Sequence, residues 1–246
     1  KRVHWARELR EVLDEDRIVL YSQPVVRLAD RVSVHREILV RILDRKGALV
    51  LPGQFIEVAE SLGMAQEIDL CVLGKIVDVL QGPEYRGQKT RFFVNLSRTS
   101  ISDPHWVRRF QSILAAAPID HSQLVFEITE TAAMSSVDVT QEFIAQMKGM
   151  GCRFALDDFG AGFSSFYFLK RFDVDYLKID GSFVRDLAAD NASRLFVRAL
   201  CDVARGLNKQ VVAEWVEDQA VMDILAEMGV QYGQGFLFAH PLPFPP

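Results

Sequence analysis

The sequence predicts a modified TIM (β/α)8 barrel with an antiparallel first strand, and three observations carry that expectation. Short apolar, β-branched runs alternate with longer helical patterns from one end of the chain to the other, which is the sequence sign of a βα fold. Eight such strands fit into 246 residues, close to the size of a (β/α)8 barrel. No Pro-, Gly- and Ser-rich linker divides them, so one core is expected. A doubly wound open sheet is the alternative arrangement of the same elements.

In the opening KRVHWARELREV, Trp5, Leu9, Val12 and Leu13 recur at helical spacing, so residues 1–15 are expected to form an amphipathic leading helix. It either packs on its own domain or links to an upstream domain, an option raised by the missing initiator Met. Residues 16–246 are expected to be the barrel domain. Its first strands, RIVLYSQPVV (17–26) and VSVHREILVRI (32–42), are separated only by RLADR. That link has no room for a crossover helix, so the pair is expected to be antiparallel. The further strands are RFFVNLS (91–97), QLVFEIT (123–129), RFALDD (153–158), DYLKID (175–180), QVVAEWV (210–216) and YGQGFLF (232–238). Between them lie helical stretches such as PGQFIEVAESLG, EIDLCVLGKIVDVLQ, DVTQEFIAQMKGMG, SRLFVRALCDVARGLN and QAVMDILAEMG. Several stop at a Gly or Asn, the expected C-terminal cap.

Composition removes several function classes. The net charge is −5 with Lys and Arg scattered, so no basic stripe announces polymeric nucleic acid. Cys71, Cys152 and Cys201 are an odd, widely spaced set, which suggests neither a disulfide framework nor a cysteine metal site. They suit small core positions in a reducing cytoplasm. There is no apolar run of about 18 residues and no signal-peptide core. The expected location is therefore the cytoplasm, including the cytoplasmic part of a membrane-anchored protein.

The chemistry lies at the strand ends, which in a parallel βα barrel converge on one face. Glu37, Asn95, Glu127, Asp157 with Asp158, Lys178 with Asp180, and Glu214 stand there. Strand side chains switch face at every residue. Glu37, Leu39 and Arg41 therefore share a face, as do Lys178 and Asp180, while Asn95 follows Phe93, Glu127 follows Val125 and Glu214 follows Val212. Taken singly, each has an ordinary role: Glu127 capping a helix, Asn95 binding backbone in a turn, Lys178 reaching solvent, Asp157 beginning a turn. Gathered in one mouth, the carboxylates would repel unless cations neutralised them. Oxygen-only donors select Mg2+, Mn2+ or Ca2+, and the five His make no zinc spacing. Adjacent Asp157 and Asp158 can flank two hard ions, an arrangement suited to in-line attack on a phosphodiester. Lys178 and Arg41 would offer positive charge to the phosphate, and Glu214 would take the water's proton.

At this point a resemblance enters. REILVR (36–41), FVNLS (93–97), FEITE (126–130), DDFGAGFSS (157–165), LKIDGSFV (177–184), VVAEWVE (211–217) and QGFLF (234–238) resemble, in order, the motifs of EAL domains, bacterial cyclic di-GMP phosphodiesterases. The resemblance runs from YSQPVV to HPLP. It implies that Glu37, Asn95, Glu127 and Asp157 bind a first metal, and Asp157 and Asp158 a second. Lys178 would contact the hydrolytic water and Glu214 would be the general base. Gln23, Leu39 and Arg41 would hold the dinucleotide, with Asp180, Glu217 and Gln234 completing the mouth. Glu130 would steady the loop after Asp158, and that loop with its following helix would mediate a homodimer. The implied activity is hydrolysis of cyclic di-GMP to linear pGpG with two Mg2+ or Mn2+ ions, Ca2+ being inhibitory. A non-hydrolytic cyclic di-GMP receptor is the alternative, and an unrelated Mg2+-dependent barrel lyase a third. The departures are Ile38 for Ala in the signature triplet, Ala161 for Thr, Phe163 for Tyr, Trp215 for Gly and His240 for Arg. Alternation turns Ile38 toward the helix layer, and Trp215 is expected to face outward from Glu214.

Overall fold

The computed structural model describes residues 2–161 and 166–245. Among these, ten strands join in one sheet: β1 (Ile18–Arg27), β2 (Val32–Leu43), β3 (Leu49–Val50), β4 (Arg91–Asn95), β5 (Leu124–Thr129), β6 (Arg153–Phe159), β7 (Tyr176–Ile179), β8 (Gln210–Ala213), β9 (Tyr232–Gly233) and β10 (Leu242–Phe244). The order runs β1-β9-β8-β7-β6-β5-β4-β2, and β1 also pairs with β2, so eight strands close into a barrel. β1 runs antiparallel to both neighbours. The pairs from β2–β4 around to β8–β9 are parallel. The short link forces this. Arg31 N donates to Arg27 O (2.8 Å) with Arg31 at φ +60°, and Arg27 Nε donates to Asp30 Oδ1 (3.0 Å), closing a hairpin turn instead of a crossover.

All eight expected strands occur, several of them shorter. The run expected over 91–97 stops at Asn95, where the chain enters a helical turn over Arg98–Ile101. The run over 210–216 stops at Ala213, because Trp215 takes φ +56°. The run over 232–238 stops at Gly233, since Gly235 is pressed against Val216, whose carbonyl oxygen would lie 2.2 Å from any Cβ. The expected helices appear as Ile56–Ser61, Ala65–Leu80, Val137–Gly149, Asn191–Gly206 and Gln219–Glu227. A further helix spans Pro104–Ala116; Asp103 caps it, accepting from His105 N and Trp106 N, and Pro104 opens its first turn, where the missing N–H is harmless. The leading helix is Arg2–Asp14. Its Leu9 and Val12 are buried in the main core, and Glu8 meets Arg17 Nη1 at 3.1 Å.

Alternation divides the core into two layers. One face of the strands fills the barrel with Val25, Phe93, Val125, Ala155, Tyr176, Val212 and Tyr232. The next residues along, Phe92, Phe126 and Phe154, turn outward to the helices. There Phe110 meets Phe126 edge-on at 5.0 Å and Phe143 meets Phe154 at 5.8 Å. Each fully buried ring stabilises the fold by about 2–3 kcal/mol. Ile38 is buried in this outer layer as alternation expects. The 162–165 part of the expected DDFGAGFSS loop, Phe163 included, lies outside the described residues. So does part of the expected dimer contact SSFYFLKRF (164–172).

Candidate active site

The site is the layer directly above the barrel filling. Two residues beyond Phe93 stands Asn95, beyond Val125 Glu127, beyond Ala155 Asp157, beyond Tyr176 Lys178, beyond Val212 Glu214 and beyond Tyr232 Gln234. Glu37 joins them from β2, paired in register with Gln23 of β1. A closed barrel thus converts a period of two in each strand into one ring of polar side chains.

Asp158 needs an additional device, because strict alternation would send it to the helix side. Leu156 pairs with Leu177 and Phe159 with Ile179, so Asp157 and Asp158 together oppose Lys178 alone. This is a β-bulge, and Asp158 accommodates it with φ +53°, a left-handed conformation that Asp tolerates better than most residues. The bulge brings Asp158 back to the mouth: oxygens of Asp157, Asp158 and Glu214 lie within 4.8 Å of one another.

Lys178 organises the acids. Its side chain is fully buried, with Nζ 2.8 Å from Glu127 Oε1 and from Glu214 Oε1, and 3.4 Å from Glu37 Oε2 and Asp157 Oδ1. This overturns the solvent-reaching role considered for it. Burial works to neutralise the ammonium, but the surrounding carboxylates outweigh it and raise its pKa well above the ordinary value. Glu37 is also pushed up by burial, yet Lys178 and hydrogen bonds from Gln234 and Asn95 leave it below the usual range. Asn95 Nδ2 donates to Glu37 Oε1 at 2.9 Å, and Gln234 Nε2 to Glu37 Oε2 at 2.5 Å. The other acids go the opposite way. Burial, with Glu37 close by, lifts Glu127 well above its ordinary value. Burial also raises Asp157 against the pull of Lys178. Asp158 is pushed up to about 6 by burial and the charges of Asp157 and Asp180, and Glu214 to about 8 by burial and the neighbouring acids.

A cation site fits here. Glu127 Oε2 and Gln234 Oε1 are buried without a hydrogen bond, while Glu127 Oε1 and Asp157 Oδ1 meet the Lys178 ammonium. Five carboxylates share the layer with one ammonium, and with every acid ionised the excess would be four negative charges, which two divalent cations would neutralise. The donors are oxygens only, which suits hard ions.

Beside this layer opens a cleft of about 280 Å3 lined by Gln23, Glu37, Leu39, Glu214, Trp215, Glu217, Gln234, Gly235, Phe236 and Pro241. Gln23 is tied into it, donating to Ala239 O (3.0 Å) and accepting from Gln234 Nε2 (3.0 Å). Three expected residues stand apart. Arg41 donates to Val40 O (2.8 Å), lies 5.6 Å from the centroid of Tyr21 and does not line the cleft. Asp180 is spent as a helix cap, accepting from Ser182 N at 2.9 Å, because β7 ends one residue before it. Glu130 lies behind the mouth, where its Oε2 accepts from Gly160 N at 3.1 Å in the loop after Asp158. Trp215 departs from its expected outward course, for it lines the same cleft as Glu214. Phe236 and Pro241 were not among the expected site residues; their signal was the QGFLF and HPLP runs, of which the first is a turn rather than a strand.

The fold and this donor set define a βα-barrel protein with a carboxylate-lined mouth suited to hard divalent cations. The chain belongs to the EAL domain family, whose profile matches residues 6–241. The cyclic di-GMP phosphodiesterase PdeF of Escherichia coli is 32% identical over 235 residues, which make up 96% of this chain and 31% of that protein. The cyclic di-GMP phosphodiesterase PdeB of Shewanella oneidensis is 35% identical over 240 residues, 97% of this chain and 28% of that one. The structure of the PaMucR phosphodiesterase in complex with c-di-GMP matches with a TM-score of 0.88 at 31% identity and covers 98% of both chains. The chain spans about a third of the length of the curated relatives it matches. Among the described residues no helix is long and apolar enough to cross a membrane.

Proposed function

We propose that this domain is a phosphodiesterase that opens cyclic di-GMP to linear pGpG with two Mg2+ or Mn2+ ions. The observation that carries the proposal is the cluster of buried acids that share the single ammonium of Lys178, with Glu127 Oε2 buried and unpartnered, in a family whose similar members are named for this activity. Glu37, Asn95, Glu127 and Asp157 would hold one ion, and Asp157 with Asp158 the other. When bound, the ions would lower the pKa of an attacking water and neutralise the phosphate oxygens. Glu214, at the mouth beside Asp157 and Asp158, takes the proton of that water. Lys178 holds Glu127 and Glu214 in place and would contact the hydrolytic water. Gln23, Leu39, Glu217 and Gln234 hold the dinucleotide in the cleft, with Arg41 behind them, while Asp180 and Glu130 fix the loops on either side. A homodimer, and regulation by a sensory or cyclase domain on a longer chain, belong to the same reading, as does work in the cytoplasm.

The test is incubation with cyclic di-GMP and Mg2+, followed by chromatography of the nucleotides. The expected result is pGpG, with suppression when Ca2+ replaces Mg2+, because Ca2+ tolerates irregular coordination and activates water poorly. Binding without any pGpG would instead make the domain a receptor.

A further inference from the structure

Trp215 carries a combination the chemistry above leaves unused. Its φ of +56° is one a bulky side chain adopts only at a cost, yet the indole is not spent on the core: it is 47% exposed and lines the cleft beside Glu214, Glu217 and Phe236. Two neighbours hold it. Gly181 makes room, since a Cβ there would lie 2.1 Å from Trp215 Cδ1. The guanidinium carbon of Arg185 lies 3.9 Å from the centre of the ring. Arg185 is exposed, and among the described residues it has no carboxylate within ion-pair reach. An arginine stacked on an indole keeps its N–H fork free.

We propose that Trp215 and Arg185 together read one purine base of the substrate. The stacked pair gives a flat surface for a heteroaromatic ring, and the guanidinium offers two donors to the O6 and N7 acceptors of a guanine. Adenine would set its N6 donor against that fork, so the pair selects guanine. The inference rests on the reading of this cleft as a cyclic di-GMP site and assigns base selection within it, a task that carboxylates directed at the phosphate do not perform.

The experiment measures equilibrium binding by titration calorimetry in a Glu214→Gln background, which suppresses turnover, with cyclic di-GMP and cyclic di-AMP as probes and indole fluorescence as a second readout. Trp106 is buried and Trp5 packs from the leading helix against the outer core; neither lines the cleft, so quenching by ligand there reports chiefly Trp215. Trp215→Gly is expected to weaken cyclic di-GMP binding about ten-fold and to abolish most of the quenching. Glycine suits the φ of +56°, so the backbone gives this variant no reason to unfold. Trp215→Phe should keep most of the affinity. Arg185→Ala should weaken cyclic di-GMP more than cyclic di-AMP and so narrow the preference between them. Unchanged affinities and an unchanged guanine preference in Trp215→Gly and Arg185→Ala overturn the inference alone. Failure of the Glu214→Gln protein itself to bind cyclic di-GMP overturns it together with the function on which it rests.

Discussion

Replacing Lys178 by methionine tests the electrostatic design most sharply. Methionine keeps most of the aliphatic stem and deletes the ammonium that stands 2.8 Å from two carboxylates and 3.4 Å from two more. Removing one partner of a buried ion pair costs about 3–5 kcal/mol, because the other charge is left uncompensated. Four carboxylates would be left, which argues for the upper end. Glu214, already pushed up to about 8, is mostly protonated at pH 7 and adds little to the repulsion, which argues for the lower end. The expected loss in metal-free protein at pH 7 is about 3 kcal/mol, or about 6–12 °C in Tm for a domain of this size. Divalent cations supply the charge that was removed, so Mg2+ should raise the Tm of Lys178→Met more than that of the parent. The assay is thermal unfolding followed by circular dichroism, in EDTA and in Mg2+. A variant that melts with the parent in EDTA and responds no more strongly to Mg2+ would refute the reasoning.

Three further outcomes are expected. Glu214→Gln should keep cyclic di-GMP binding and lose most turnover, by 100-fold or more on the order of a lost general base; unchanged turnover, measured as pGpG release, would remove Glu214 from that role. Metal-free stability should fall as pH rises from about 6.5 to about 8.5. The folded-state pKa of Glu214, about 8, lies above its unfolded value, so the folded protein binds the extra proton and loses that advantage as the pH passes through 8. His35, with its pKa depressed to about 4 by burial, works in the opposite sense only below about 6.5. Urea unfolding in EDTA across this window checks the sign, and saturating Mg2+ should abolish the slope. Gly235→Ala would force a Cβ to within 2.2 Å of Val216 O, straining the contacts Val216 N→Gln234 O and Leu237 N→Val216 O. It should destabilise by about 2 kcal/mol or more in urea unfolding.

How legible the site is depends on which rule places each residue. Alternation from an apolar barrel-filling residue suffices for Asn95, Glu127 and Glu214, and the same step of two puts Asp157 above Ala155 and Lys178 above Tyr176. The rule fails at Asp158, because a bulge is a backbone event with no side-chain period to announce it. It fails again at Asp180, where alternation is right about direction but β7 ends at Ile179 and the carboxylate turns to the next helix. Arg41 shares a strand face with Glu37, yet a long side chain goes where its hydrogen bonds lead, here back to Val40 O. Trp215 defeats the outward expectation because its φ of +56° ends the strand alternation on which that expectation rested. Among the elements, β10 escaped notice because a three-residue strand containing Pro243 carries almost no pattern; its pairing with β1 is decided by the closed barrel next to it.

The central claim is that Glu37, Asn95, Glu127, Asp157 and Asp158 hold divalent cations at the barrel mouth, and anomalous diffraction from crystals grown with Mn2+ and cyclic di-GMP addresses it directly. The account expects two manganese peaks above Lys178, within coordination distance of those side chains and of one phosphate. A mouth without anomalous signal, or manganese bound elsewhere with the nucleotide still seated in the cleft, would contradict it.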